Sequence, residues 1–237
     1  VGTDATALVE VRVNDKWIPV IKPIWPNEGF QHRGEQPLAA TPTVLRDYAL
    51  FSVLADVRNR TGRGKSVHIK DEIEGIPVEY DYDTDDGGHD PLVPIATPRG
   101  VPEDASKPWR QFVKANKHRV HDMTWLTLTD LLAADWDQVI YEQAVVYEDE
   151  YLRWKDTGEA PKMGARSVGG PGLRIVNEVE YAAGVRGERQ TAVDFRWTGK
   201  TVREEASKAW WATLGMMTLI APDNDPQRVR LLLAFDS

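Results

Sequence analysis

Two arginines stand where loop chemistry favours holding an anion. Arg99 lies between Pro98 and Gly100, with Pro102 close behind, so its backbone is fixed before any ligand arrives. Arg58 precedes Asn59 at the end of a predicted helix. A guanidinium in such a place offers a planar fork of donors to a carboxylate or phosphate. For Arg58 a structural role is equally complete, because a cation at a helix C-terminus meets the negative end of the dipole. Other motifs fail on their spacing. Gly64-Lys65-Ser66 ends like a phosphate-binding loop, but Asn59 stands where that motif needs glycine, and a helix precedes and a strand follows. Asp81-Tyr82-Asp83-Thr84-Asp85 begins like a calcium loop, yet Asp86 and Leu92 replace the required Gly and Glu. The segment reads as a solvated acidic loop without tight calcium affinity. Ser167-Val168-Gly169-Gly170-Pro171-Gly172 has no helix start after it to complete an anion nest. His32, His68, His89, His118 and His121 include no i, i+4 pair for zinc, and no Gly-x-Ser-x-Gly elbow exists. Cysteine is absent, which excludes disulfides and thiolate chemistry. No metal and no cofactor are expected, and no residue is assigned a catalytic role.

The elements that would position these residues read as one α+β domain over 1–237, with irregular loops near 23–42, 81–103 and 158–172. The expected architecture is a mixed, mostly antiparallel sheet packed with about five helices. Ala7–Val13 and Lys16–Val20 predict a hairpin across Asn14-Asp15. A helix is predicted from Thr43, ended by Gly62 and Gly64, and short strands at 67–69 and 76–82. Helices are also predicted at Ser106–Asn116, with Trp109, Phe112 and Val113 inward, from Thr127 with Asp130 completing a capping box, and around Tyr147, Tyr151 and Trp154. Strands are predicted at Val139–Val146, Leu173–Tyr181 and Thr191–Trp197. The longest helix is predicted at Val202–Ala221, opened by a Thr201–Glu204 capping box. Val229–Phe235 shows little alternation and predicts a central strand. No internal repeat stands out.

The chain has 237 residues, 41% of them apolar, enough for a sizeable core. Net charge is −8, but residues 71–90 alone carry −9, leaving the remainder near +1. Lys107, Arg110, Lys114, Lys117 and Arg119 alternate with Trp109 and Phe112. This pattern reads as an amphipathic helix with a solvated basic face, and nucleic acid is not expected as a partner. No apolar run approaches the ~18–20 residues of a membrane span. The opening Val1-Gly2-Thr3-Asp4 has neither the basic region nor the apolar stretch of a secretory leader.

Several segments together resemble a family of uncharacterised bacteriophage proteins. Gly2-Thr3-Asp4, followed by a strand and Lys16-Trp17, is similar to that family's Gly-Cys-Asp-Ile-His opening. Arg46-Asp47-Tyr48-Ala49-Leu50-Phe51 with Leu54-Ala55-Asp56-Val57-Arg58-Asn59 resembles its first helix. Pro98-Arg99-Gly100-Val101-Pro102 resembles its Pro-Arg-Gly-x-Pro loop, and His121-Asp122-Met123-Thr124-Trp125-Leu126-Thr127 its His-Ser-His-Ser-Trp-Leu-Thr segment. The ending, Trp210-Trp211 and then Val229 to Ser237, is also similar. The resemblance implies a viral origin and no particular reaction. Two family histidines are replaced, by Thr6 and Met123, while Asp4, Arg58, Arg99 and His121 remain beside Trp125. Together these would supply a carboxylate, two anion clamps, an imidazole and an aromatic face, and they form the candidate ligand site.

Three functions follow as expectations. The first is a non-enzymatic accessory protein acting in the host cytoplasm, binding a host protein to redirect a host process or block a defence. The second is a binder or hydrolase of a small phosphorylated or nucleotide-like ligand. The third is a virion structural protein. The oligomeric state is left open.

Overall fold

A computed structural model of the chain describes residues 3–27, 37–44, 47–57, 59, 92–161 and 171–236. Arg58, the Gly64-Lys65-Ser66 turn, the two strands predicted around Gly75 and the acidic run 71–90 lie outside the described residues, as do His32, His68 and His89. In chain order the elements are β1 (Asp4–Val13), β2 (Lys16–Pro19), β3 (Trp25–Pro26), β4 (Leu38–Ala39), β5 (Thr43–Val44), α1 (Tyr48–Ala55), α2 (Lys107–Ala115), β6 (Val120–Thr127), α3 (Leu128–Ala133), β7 (Val139–Tyr147), α4 (Glu148–Thr157), β8 (Leu173–Asn177), α5 (Glu178–Ala182), β9 (Gln190–Thr201), α6 (Val202–Glu205), α7 (Lys208–Leu219) and β10 (Val229–Asp236). The fold class is α+β, with mostly antiparallel sheets. Two compact units emerge, one from 1–59, 91–139 and 200–237, the other from 60–90 and 140–199.

The first unit is built on a sheet of order β2-β1-β10-β6, with β5 also pairing β1, and every pairing is antiparallel. The strand β10 is buried from Val229 to Phe235 because both of its faces are covered, which explains its unbroken apolar run. On one face Phe51 of α1 meets Phe235 edge to face, ring centroids 5.1 Å apart. On the other, Leu8, Leu232 and Ala234 pack beneath Trp109 of α2, whose ring stacks on Phe112 at 5.3 Å. The inward set predicted for α2 is therefore observed, with Lys107, Arg110 and Lys114 exposed on its outer face. The β1–β2 hairpin turns through Asn14 (φ 46°) and Asp15 (φ 60°), the left-handed pair that suits the twist of a two-residue turn.

Three predicted helix boundaries move, each for a local reason. The first helix ends at Ala55, short of Val57 and of Gly62 and Gly64, because Asp56 turns left-handed (φ 58°) with its N–H on the Ser52 carbonyl at 3.0 Å. It begins at Tyr48 rather than Thr43, because Thr43 and Val44 pair with Thr6 and Ala5 as β5. Asp47 then caps α1 by accepting the Leu50 N–H at 3.0 Å. Asp47→Ala should cost about 1 kcal/mol in a urea melt, the usual worth of such a cap. The long helix predicted over 202–221 is two helices. The Thr201–Glu204 capping box opens α6 as expected, but Ala206 turns extended (ψ 139°) and Ser207 starts α7 by accepting the Trp210 N–H.

The second unit holds the sheet β7-β9-β8, in which β8 and β9 run parallel. The strand predicted over 173–181 stops at Asn177, whose side chain caps α5 and exchanges bonds with Glu180 in a capping box. The core gathers Val146, Tyr151, Val176, Val193, Phe195 and Trp197. Phe195 touches Tyr151, Trp154 and Trp197 with centroids 4.6–5.2 Å away. The helices α4 and α5 open on similar words, Glu148-Asp149-Glu150-Tyr151 and Glu178-Val179-Glu180-Tyr181.

Candidate functional site: the surface around Trp17

Of the residues singled out in the sequence, the structure joins Arg99 to Trp125. The Arg99 guanidinium lies 5.1 Å from the Trp125 ring centroid, and its Nη1 donates to the Trp125 carbonyl at 3.2 Å and to Asp130 Oδ2 at 3.4 Å. Beside it, Gly100 N–H donates to the Met123 carbonyl at 2.8 Å. These bonds fall on the outer side of β6, so the Pro98–Pro102 loop seals one edge of the sheet. Much of the fork expected to receive an anion is engaged in that seal. Asp4 pairs with Asp236, and His121 pairs with Phe235. Adjacent residues on a strand point to opposite faces, so Asp4 and His121 stand on opposite sides of the sheet. Asp4 shares the face of Trp125 but lies two strands across and four residues along, ~16 Å away. Nδ1 of His121 is 2.8 Å from Asp122 Oδ2.

A second constellation, unforeseen in the sequence, occupies the same face as Trp125. Glu10 and Arg230 are direct cross-strand partners on β1 and β10, and both are buried, at 0% and 2% exposure. Arg230 Nε donates to Glu10 Oε2 at 2.8 Å, and Nη1 donates to Asp104 Oδ1 at 2.7 Å. The other Glu10 oxygen accepts the Ser106 N–H at 2.8 Å, just before α2. Trp17 closes the set from above. Its ring centroid is 4.0 Å from the Arg230 guanidinium carbon, and its indole N–H donates to Asp104 Oδ2 at 2.8 Å. Burial acts to raise the Asp104 carboxyl, but the hydrogen bond and charge of Arg230 and the Trp17 indole outweigh it and hold that carboxyl below its ordinary value. The signal was present: an arginine inside the apolar run Val229–Phe235 requires a buried carboxylate partner.

Trp17 is half-buried and fixed from two sides, and it forms a wall of an open groove of ≈ 430 Å³ between the hairpin and the start of α2. Ile18 and Pro19 continue the hairpin side, while Ser106, Lys107 and Pro108 form the other. Lys16 and Lys107 are exposed at the groove, and neither forms an ion pair among the described residues. Its lining includes these two cations and no acid. Chemically this is a rigid aromatic platform with a positive rim, suited to holding a partner. Among the described residues no three His, Asp or Glu side chains gather as a metal site, and no helix is long and apolar enough to cross a membrane. No protein-family model, curated protein or solved structure matches the chain.

Proposed function

We propose that this is a phage-encoded accessory protein that binds a host protein through the Trp17 surface and acts in the host cytoplasm by occupancy rather than by turnover. The carrying observation is Trp17 itself. Its ring is stacked on a buried guanidinium and its indole N–H is tied to Asp104, so it loses little freedom when a partner covers it. Rigid, partly exposed tryptophans in a groove are frequent energetic anchors of protein interfaces. The lysines on either side favour an acidic partner and reject a basic one. The viral origin rests on the family resemblance of the opening, the Pro98–Pro102 loop and the His121–Thr127 segment.

Capture with the tagged full-length chain from infected host lysate, followed by mass spectrometry, tests the reading. A host protein should be recovered with the wild type. Trp17→Ala should reduce its recovery about thirtyfold, the scale of an interface anchor. Lys16→Glu combined with Lys107→Glu should also deplete it, with far-ultraviolet circular dichroism unchanged. Recovery of the same proteins with all three chains would refute the proposal.

A further inference from the structure

We infer that the partner presents an extended, acidic segment that adds to the outer edge of β2 as an extra strand, in a register set by Trp17. This inference rests on the reading that the Trp17 surface binds a protein, and it specifies the chemistry of the bound segment.

The hydrogen bond from Val20 N–H to the Val9 carbonyl, 2.9 Å, fixes the phase of the hairpin ladder. Hydrogen-bonded and non-bonded pairs alternate along antiparallel strands. Val11–Ile18 and Val13–Lys16 are therefore bonded pairs, whereas Trp17 and Pro19 turn their main chains away from β1. Trp17 offers both an N–H and a carbonyl to the outside. Pro19 offers a carbonyl but no N–H, so a strand added here makes one complete residue pair at Trp17 and runs out of donors at Pro19.

The two edges of this sheet are treated differently. The β6 edge is closed by Gly100 and Arg99, which take the Met123 and Trp125 carbonyls. The β2 edge ends the sheet with no strand beyond it among the described residues. Beside it lies the groove, whose rim carries Lys16 and Lys107, and Arg110 and Lys114 extend the positive face along α2. An incoming strand thus meets main-chain partners on one side and cations on the other. A second copy of this chain fits poorly, since two β2 edges meeting bring together two copies of the same rim, Lys16 with Lys107, whose lining holds no acid to offset them. A nucleic acid would meet the cations but has no use for a strand edge. Strand addition draws affinity from main-chain bonds and specificity from side chains, here an acidic requirement.

The test titrates the full-length protein with an acetylated octapeptide alternating valine and glutamate. Controls are its valine–lysine analogue, an acidic version N-methylated at alternate residues, and a thymidine oligonucleotide. Expected are saturable binding of the acidic peptide, slowed hydrogen exchange at the Trp17 amide and little change at the already bonded Ile18 amide. The lysine analogue should bind at least tenfold more weakly, N-methylation should abolish binding, and Lys16→Glu with Lys107→Glu should weaken it about tenfold. Failure of the acidic peptide to bind, equal binding of the N-methylated peptide, or binding of the oligonucleotide instead would overturn the inference. Host-protein capture that still depends on Trp17 in any of those cases would leave the functional reading standing and remove only the strand-addition mode.

Discussion

Arg230→Ala is expected to destabilise the first unit by about 3–5 kcal/mol, because breaking a buried ion pair strands the surviving charge. Glu10 is fully buried, and without Arg230 its carboxylate keeps only the Ser106 N–H. Neutralising Glu10 in the same chain relieves that cost, so Glu10→Met with Arg230→Met should recover most of the stability as the two thioether chains refill the space. Urea denaturation of wild type, Glu10→Met, Arg230→Met and the double variant, followed by tryptophan fluorescence, measures the coupling; additive single effects would show that the pair is not the buried unit described. Arg230→Ala also removes the platform beneath Trp17 and should weaken acidic-peptide binding. There is an acid-side signature as well. Asp104 is held below its ordinary pKa, so its contribution is present above the unfolded value and is lost as pH falls through the folded one. In Arg230→Ala that added acid sensitivity should be largely gone.

How much of this was legible in the sequence depended on the range of the interaction. The hairpin across Asn14-Asp15, the capping boxes at Thr127–Asp130 and Thr201–Glu204, and the inward Trp109 and Phe112 are set by neighbours within a few residues, and they appear as predicted. The central place of β10 followed from its lack of alternation, which only two covered faces tolerate. The start of α1 and the end of β8 were missed because Thr43-Val44 is held by β1, and because Asn177 prefers to cap α5 over continuing a strand that periodicity alone would extend. The pairing of Glu10 with Arg230 spans most of the chain and has no local spacing to reveal it. Arg99 shows the converse. Its Pro and Gly neighbours correctly marked a fixed loop, but fixing a loop serves an edge seal as well as it serves an anion site.

In the second unit, Tyr151→Ala should cost about 3–5 kcal/mol, the scale for emptying a buried aromatic site, whereas Tyr151→Phe should cost about 1–2 kcal/mol. Tyr151 is buried against Trp154, Tyr181 and Phe195. Its hydroxyl donates to Glu178 at 2.9 Å, and in return Tyr181 of α5 donates to Glu148 of α4 at 2.6 Å. Each helix thus gives a phenol to the first-turn carboxylate of the other. Lys155 stands 3.9 Å from Glu178, and Arg186 stands 3.0 Å from Glu148 while covering the Tyr181 ring at 3.6 Å. Phenylalanine keeps the ring contacts and removes one arm of the exchange; alanine removes both. Burial first, and then the Glu178 carboxylate, push the Tyr151 hydroxyl up to about 12. The unfolded chain releases that proton near the ordinary tyrosine value of ~10, so between roughly pH 10 and 12 the folded state holds more protons than the unfolded one. Stability is therefore complete below that interval and falls as pH rises through it. Lysine deprotonation contributes to any alkaline loss, and the difference between wild type and Tyr151→Phe isolates the phenol. Wild type should lose stability more steeply than Tyr151→Phe across that window. Parallel alkaline limbs for the two proteins would show that Tyr151 ionises as an exposed phenol and that the reciprocal exchange does not hold α4 to α5.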